Sequence, residues 1–229
     1  MLRSEVARDS SVERAVLSVT ATSSEKTSQY IYNLYVNGEE IGVGPTRQDG
    51  SDLYYNTYDL TDGLKDGKNV IGLINYSESN QGVLCQLTYY YSDGTKKVIN
   101  NSGRDNSSWK VLSADNVYIG SDTATIGTSY YVAKKDNVNM NSYPVGWSNV
   151  GYNTSGWSTP AKKNTMSQFT LQPAQTDNMK HYEVEPESVT NVGTGIYLVD
   201  MGKEIVGSLK LNLNGNKQTI TLEYGEELQ

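Results

Sequence analysis

The dipeptide Asn37-Gly38 constrains the fold more than any other feature of this sequence. Residues 33–36 before it alternate with the period of two that is expected of a half-buried strand, and residues 39–42 follow as a second segment. An Asn-Gly pair between two strands is the preferred sequence of a type I′ turn, because both central residues of that turn need a positive φ. Two further strands are predicted at residues 54–60 and 70–74. This stretch therefore predicts antiparallel β-structure.

The composition supports an all-β protein. The 229 residues include 21 Gly but only 5 Pro, which suits a chain with many tight turns. The mean hydropathy of -0.56 is polar, but 18 Tyr supply apolar ring area for a core. Charged residues make up 20%, which is too few for a disordered chain. The length allows one large sandwich, or one domain and part of another.

Charge and cysteine content exclude several functions. A net charge of -7 repels phosphate, so neither nucleic acid nor an anionic membrane is expected as a partner. The lone Cys85 permits no intrachain disulfide and is expected to be a small buried apolar residue. A Ser-His-Asp triad could be built only around the lone His181. Residues 1–4 lack the apolar core of a signal peptide, which favours the cytoplasm over secretion.

Strand patterns divide the chain into three regions. Residues 1–165 are predicted to form one jelly-roll β-sandwich, residues 166–185 a linker, and residues 186–229 the opening strands of a second β-sandwich. In the first region, residues 2–6 are expected to form an edge strand. The core face of the next strand is expected to carry Ala15, Leu17, Val19 and Ala21. In the last region, strands are expected at residues 195–202, 206–211 and 218–226, with a hairpin turn at Asn214-Gly215.

Several motifs, taken in order, resemble one family. They are YVNG at residues 35–38, YDLTDGLKDGKNVIGL at 58–73, SSWK at 107–110 and GWSNVGYNTSGW at 146–157. Together they resemble the amino-terminal, galactose-binding-like β-sandwich of bacterial α-L-rhamnosidases, glycoside hydrolase family 78, over nearly the whole chain. Related sequence motifs occur in other galactose-binding-like sandwiches. Thr128 and Tyr131 stand where the family has a Glu and an Asp, so the contacts of those carboxylates are not expected here.

The resemblance implies a non-catalytic fragment of a larger enzyme. The parent would hydrolyse terminal α-L-rhamnosides by inversion, with its carboxylates on an (α/α)6 barrel that this chain lacks. No catalytic residue is therefore expected here. The expected role is to buttress the missing carboxy-terminal catalytic domain and to help bind rhamnose-containing glycans. The local carboxylates are interpreted as turn and surface groups: Asp59, Asp62, Glu223, Glu226 and Glu227.

Two alternative functions are compatible with the sequence. An autonomous carbohydrate-binding module would need exposed rings that stack on a sugar, and the candidates are Trp147, Tyr152 and Tyr118. The rings of Trp147 and Tyr152, which lie in a predicted loop, could instead pack against a neighbouring domain. A structural sandwich with no ligand is the second alternative. Trp109 is expected to pack in the core at the start of a strand, and Trp157 to pack on the sandwich as part of a closing strand.

Two further expectations concern cofactors and self-association. No cofactor is expected, although a structural calcium ion could bind the oxygen-rich loop that contains Asp49 and Asp52. That loop lacks the ligand spacing of an EF-hand. An interrupted second sandwich would leave an unpaired sheet edge, so the isolated fragment is expected to self-associate.

Overall fold

The computed structural model describes residues 1–22, 30–77, 82–119, 137–162, 167–212 and 219–225. None of these residues lies in a helix long and apolar enough to cross a membrane. The chain divides into two compact units, Met1–His181 and Tyr182–Gln229. The strands in the described ranges are β1 (Leu2–Arg8), β2 (Val12–Thr22), β3 (Tyr30–Val36), β4 (Glu39–Gly44), β5 (Asp52–Asp59), β6 (Gly67–Ser77), β7 (Gly82–Tyr91), β8 (Lys96–Asn101), β9 (Trp109–Val111), β10 (Thr170–Pro173), β11 (Ser188–Gly193) and β12 (Ile196–Asp200).

The first unit is a β-sandwich of two five-stranded sheets. The first sheet has the strand order β4-β3-β6-β1-β9 and the second has the order β10-β5-β2-β7-β8. Paired strands are antiparallel except for β10, which runs parallel to β5. One apolar core lies between the sheets and takes residues from both. The all-β fold expected from the sequence is therefore confirmed.

The face of β2 that points into the core carries the residues predicted from the sequence. Its four predicted members are fully buried: Ala15, Leu17, Val19 and Ala21. Trp109 is also buried, and its indole Nε1 donates a hydrogen bond to Asn100 Oδ1 at 2.8 Å. The side chain of Asn100 in turn donates to Ser4 Oγ at 2.7 Å. The predicted core position of Trp109 is confirmed, and its polar N–H has a partner, as a buried indole requires.

The hairpin between β3 and β4 has the predicted turn. Asn37 has a φ of 51° and Gly38 a φ of 92°, so both central residues lie in the left-handed region. Gly38 also lies close to another loop, because a Cβ there would overlap the side-chain oxygen of Asn149. Asparagine and glycine are the residues that tolerate such backbone angles best.

The predicted edge position of the first strand is wrong. β1 lies between β6 and β9 and pairs with β6 along its whole length, from Leu2 opposite Leu73 to Arg8 opposite Gly67. β9 covers its other side only at residues 2–4. The short β9 follows more than a hundred residues later in the chain. Local pattern therefore could not reveal that β1 has a neighbour on both sides.

A strand also lies within the predicted linker. β10 adds to the edge of the second sheet, with Leu171 opposite Leu53 and Pro173 opposite Tyr55. Its four residues include a proline and are too few to show a clear period of two. Within this structure, the boundary between the two units falls after His181.

Among the described residues of the second unit, β11 and β12 form an antiparallel hairpin with an irregularity between Asn191 and Gly193. Residues 201–212 and 219–225 form no strand, although strands were expected at 206–211 and 218–226. No residue described in this unit is buried. The predicted turn at Asn214-Gly215 lies outside the described residues.

Cys85 is a buried apolar residue, as predicted, and gives a direct probe of unfolding. The side chain is 1% exposed, and burial raises the pKa of its thiol to about 12. At pH 8 only about one thiol in ten thousand would be ionised in the folded state, and thiolate is the reactive form. We expect no reaction with Ellman's reagent in buffer and full reaction in concentrated urea. Equal rates under both conditions would contradict the buried position.

Candidate functional site

An aromatic cluster covers part of the outer face of the first sheet. Trp147 is 2% exposed and stands directly over Gly72 of β6, where a Cβ would lie 2.8 Å from the indole ring. Trp157 stacks beside it, with 6.2 Å between ring centroids and 22° between ring planes. Tyr35 of β3 meets Trp147 edge-on at 5.5 Å. Burial is the main cause that raises the pKa of Tyr35, so its hydroxyl stays protonated.

The structure places two of the three predicted sugar-binding rings inside this cluster. Trp147 is buried, so its predicted exposure is wrong. Tyr152 is half-buried and contacts Trp157 edge-on, with 6.1 Å between centroids. A ring that stacks on a sugar needs at least one accessible face, and Trp147 is enclosed by protein. Tyr118 alone is exposed, at 38%, and its backbone pairs with Val138.

One sequence signal could have revealed the packing of Trp147. Gly72 interrupts an apolar strand, and glycine inside a strand often marks the close approach of another group. The predicted packing role of Trp157 is confirmed by its contacts and by the adjacent backbone bridge between Ser158 and Val111. The aromatic cluster is therefore a small second core that fixes residues 137–157 to the sheet.

The motif residues at 64–69 build a turn. Asn69 is fully buried, and its Oδ1 accepts hydrogen bonds from the Lys65 amide at 2.8 Å and from Asn37 Nδ2 at 2.9 Å. Its Nδ2 donates to the carbonyls of Lys65 at 2.7 Å and Gly67 at 3.1 Å. This one side chain thereby closes its own loop and ties it to the β3–β4 turn. The motif is explained by folding and needs no ligand.

Asp59 of the YDLT motif also has a structural role. Its Oδ1 accepts hydrogen bonds from the amide and hydroxyl of Thr61, and its Oδ2 accepts one from Arg14 Nε at 2.9 Å. The hydroxyl oxygen of Thr61 accepts a hydrogen bond from the amide of Ala15 at 3.0 Å. The interpretation of Asp59 as a turn residue is confirmed, because both carboxylate oxygens are already bound by the protein.

The acid sensitivity of the fold follows from such turns. The Thr61 hydroxyl, and after it Arg14, lowers the pKa of Asp59. A carboxyl group with a lowered folded-state pKa stabilises the fold above its usual pKa of about 4, and this contribution is lost as pH falls through the lower value. We expect the urea midpoint to fall between about pH 5 and pH 2, and to fall less steeply in Asp59→Asn. An identical pH profile in the variant would contradict this role.

The remaining carboxylates do not form a recognisable site. Asp62 and Glu223 are exposed, while Glu226 and Glu227 lie outside the described residues. Asp49 and Asp52 pair through their backbones, with amide-to-carbonyl distances of 3.1 and 2.8 Å. Within the described ranges, no group of three or more His, Cys, Asp or Glu side chains could hold a metal ion. Calcium near Asp49 and Asp52 stays a prediction. Thr128 and Tyr131 also lie outside the described residues.

A polar cleft of about 170 Å³ lies on the outer side of β5. Its floor is formed by Tyr55 and Thr57, and its wall by the loop of residues 173–178 that follows β10. We call it the β5 cleft. Sequence reasoning missed it, because its two sides come from segments more than a hundred residues apart.

The loop that walls the β5 cleft is held at both ends. The amide of Ala174 donates to the carbonyl of Tyr55 at 2.9 Å. At the other end, Asn178 Nδ2 donates to the carbonyl of Thr57 at 2.7 Å, and Asn178 Oδ1 accepts from Asn56 Nδ2 at 2.9 Å. Asn56 is 3% exposed, so this anchor is buried.

Comparison with known proteins identifies the relatives of this sandwich. The family model described as the α-L-rhamnosidase N-terminal domain matches residues 11–183. The α-L-rhamnosidase of Streptomyces avermitilis is 26% identical over 226 residues, which cover 88% of this chain and 20% of that protein. The α-L-rhamnosidase of Formosa agariphila is 27% identical over 214 residues, covering 80% of this chain and 20% of that protein.

A solved structure has the same fold. The crystal structure of Streptomyces avermitilis α-L-rhamnosidase complexed with L-rhamnose superposes with a TM-score of 0.58 at 21% identity, over 88% of this chain and 20% of that one. The fold thus defines the class, an all-β sandwich like the part of that structure on which it superposes. More narrowly, the chain belongs to the α-L-rhamnosidase N-terminal domain family. It spans about a fifth of the length of the two relatives.

Proposed function

We propose that this chain serves as the non-catalytic amino-terminal region of an α-L-rhamnosidase that hydrolyses terminal α-L-rhamnosides by inversion. The observation that carries the proposal is the family match over residues 11–183, together with the small share of each relative that the chain covers. Inverting hydrolysis needs two carboxyl groups roughly 6.5–9.5 Å apart on either side of the scissile bond. Asp59, one of the local carboxylates considered from the sequence, has both oxygens engaged in its turn.

A surface suited to contact with another domain supports the buttressing role. The segment that carries Trp147 turns four aliphatic side chains outward: Val138, Met140, Val145 and Val150. Val145 is 74% exposed. Exposed apolar patches commonly mark interaction surfaces, and we infer that these four side chains contribute to one. The proposed partner is the catalytic barrel of the same polypeptide.

Two measurements test this proposal. The isolated chain is expected not to hydrolyse an aryl α-L-rhamnoside, whereas the longer protein that contains it is expected to do so. Hydrogen exchange at residues 138–150 should be slower in the longer protein than in the isolated chain, because the barrel would cover them. Hydrolysis by the isolated chain would overturn the non-catalytic role, and equal exchange would overturn the contact with the barrel.

Self-association of the isolated chain is part of the proposal. β11 and β12 form a two-stranded sheet with apolar side chains exposed on β12, among them Ile196, Tyr197 and Val199. A two-stranded hairpin is marginally stable alone, and its outer edges offer backbone groups for pairing. Light scattering should show a mass that rises with concentration above 25.3 kDa. A constant monomer mass would count against self-association.

A further inference from the structure

We propose that the contact between His181 and Glu40 is a pH-dependent switch, which holds the end of the first unit at mildly acidic pH and loosens it at alkaline pH. The contact closes a segment, residues 170–181, that we call the strap. The boundary between the two compact units falls directly after His181. The contact therefore decides where the fixed part of the first unit ends. It is a property of the first unit and does not depend on the proposed function.

The strap runs from an edge of the second sheet to an edge of the first. It begins as β10, which pairs with β5. Its middle is held through Asn178, which donates to the carbonyl of Thr57 at 2.7 Å and accepts from the buried Asn56 at 2.9 Å. At its end, His181 Nδ1 lies 2.9 Å from Glu40 Oε1. Glu40 belongs to β4, the edge strand of the first sheet.

The last contact of the strap is its most labile one. The earlier part is fixed by strand pairing and by a hydrogen bond to a buried side chain. Within the part of the chain that the structure describes, no hydrogen bond is seen at residues 179–180, and Met179 is 62% exposed. The side chains of His181 and Glu40 are themselves 46% and 32% exposed. Because an ion pair so accessible to water contributes little, the loss of one charge is enough to shift its equilibrium.

The imidazole of His181 supplies the change in charge. An imidazole ring ordinarily gains its proton between pH 8 and pH 5.5, whereas carboxyl, phenol and ammonium groups ordinarily do not titrate there. The ionisable groups nearest the contact are two carboxylates on β4, one phenol on β3 and the preceding ammonium group: Glu39, Glu40, Tyr35 and Lys180. Burial, and after it the Glu40 carboxylate, raises the pKa of Tyr35, so this phenol stays protonated.

The direction of the effect follows from the two charge states of the ring. A protonated His181 is a cation whose Nδ1 donates a charge-assisted hydrogen bond to Glu40. The carboxylate is kept in place by Asn33 Nδ2, which donates to the same oxygen at 3.2 Å. A neutral imidazole has lost the attraction between opposite charges, and only one of its two tautomers carries a proton on Nδ1. The contact is therefore strongest below the pH at which the ring loses its proton, and it weakens above that pH.

A second group in the first unit changes charge in the same range. Burial lowers the pKa of the Met1 amino group to about 6. This amino group donates a hydrogen bond to the carbonyl of Leu112 at 2.9 Å, beside β9 of the first sheet. Its titration has to be separated from that of His181, and a substitution of Glu40 does so because it leaves the Met1 contact intact.

Backbone ¹⁵N relaxation of the labelled chain at pH 5.5 and pH 8 tests the switch. We expect the order parameters at residues 179–181 to be close to those of residues 170–178 at pH 5.5 and lower at pH 8. The equilibrium constant for the closed contact should fall about two- to fivefold, the range of exposed ion pairs. In Glu40→Gln, which keeps an acceptor without the charge, both pH values should give the result of the unsubstituted chain at pH 8.

The matched control is Glu39→Gln, which removes the same charge from the neighbouring residue of β4 and should keep the full pH dependence. Equal order parameters at both pH values in the unsubstituted chain would overturn the switch. A pH dependence that persists in Glu40→Gln would assign its cause to another group, such as the Met1 amine, and would also overturn it. Its loss in Glu39→Gln would show a general effect of charge on β4 instead of a specific pair. Unchanged amide signals of β2 establish that each variant is folded.

Discussion

Replacing Trp147 with alanine is expected to lower the free energy of unfolding by about 3–5 kcal/mol, the usual cost of truncating a buried large aromatic residue. The indole is 2% exposed and contacts Gly72, Tyr35 and Trp157, so its removal leaves a cavity between the 137–157 segment and the first sheet. Urea unfolding followed by circular dichroism measures the change. Val145→Ala on the same segment is the matched control and should change stability by no more than about 0.5 kcal/mol.

A double-mutant cycle makes this prediction sharper. Gly72→Ala should destabilise the natural chain, because the new Cβ would lie 2.8 Å from the indole ring. The same change should cost less in Trp147→Ala, where the methyl group enters the vacated space. Additive effects of the two substitutions would show that the ring does not rest on Gly72 in solution. If Trp147→Ala lowered the free energy of unfolding by less than about 1 kcal/mol, the result would instead support the exposed ring predicted from the sequence.

Asn69→Asp is expected to cost a similar amount, about 3–5 kcal/mol, even though the two side chains have almost the same shape. Asn69 Nδ2 donates to two carbonyl oxygens, and a carboxylate would instead place negative charge against both of them in a fully buried site. Thermal or urea unfolding at neutral pH measures the loss. It should shrink at acid pH, where the new carboxyl group is protonated.

The control for this substitution is Asn153→Asp. Asn153 is exposed, and its Oδ1 accepts the amide of Ser155 at 2.9 Å, a role that a carboxylate oxygen also fills. We expect a change within about 0.5 kcal/mol. If both substitutions had equal small effects, the four hydrogen bonds of Asn69 would not be the reason for this motif.

The parts of the fold that were predictable are those with local causes. Asn37-Gly38 predicts its hairpin because positive φ is a property of two adjacent residues. The alternation from Ala15 to Ala21 predicts a core face because neighbouring side chains of a strand point to opposite sides. These signals required no knowledge of distant partners.

The features that were missed depend on distant partners. Trp147 is buried only because its segment folds back over Gly72, and a loop sequence does not state which sheet it will cover. The β5 cleft needs β10 to run parallel to β5, a pairing across more than a hundred residues. The motifs on which the family resemblance rests contain Asp59 and Asn69, whose side chains hydrogen-bond within their own turns. Because their side chains are used to close these turns, they do not locate a ligand.

The interior position of β1 has a consequence for the order in which the protein folds during synthesis. β1 leaves the ribosome before both of its partners, because β6 follows about sixty residues later and β9 about a hundred. The β3–β4 hairpin, closed by a two-residue turn, needs no such delay. We therefore expect the hairpin to form while β1 is still unpaired, since local contacts form before distant ones. The nascent chain would then carry β1 as an unpaired strand upstream of the folded hairpin, and an unpaired strand edge is open to pairing with another chain.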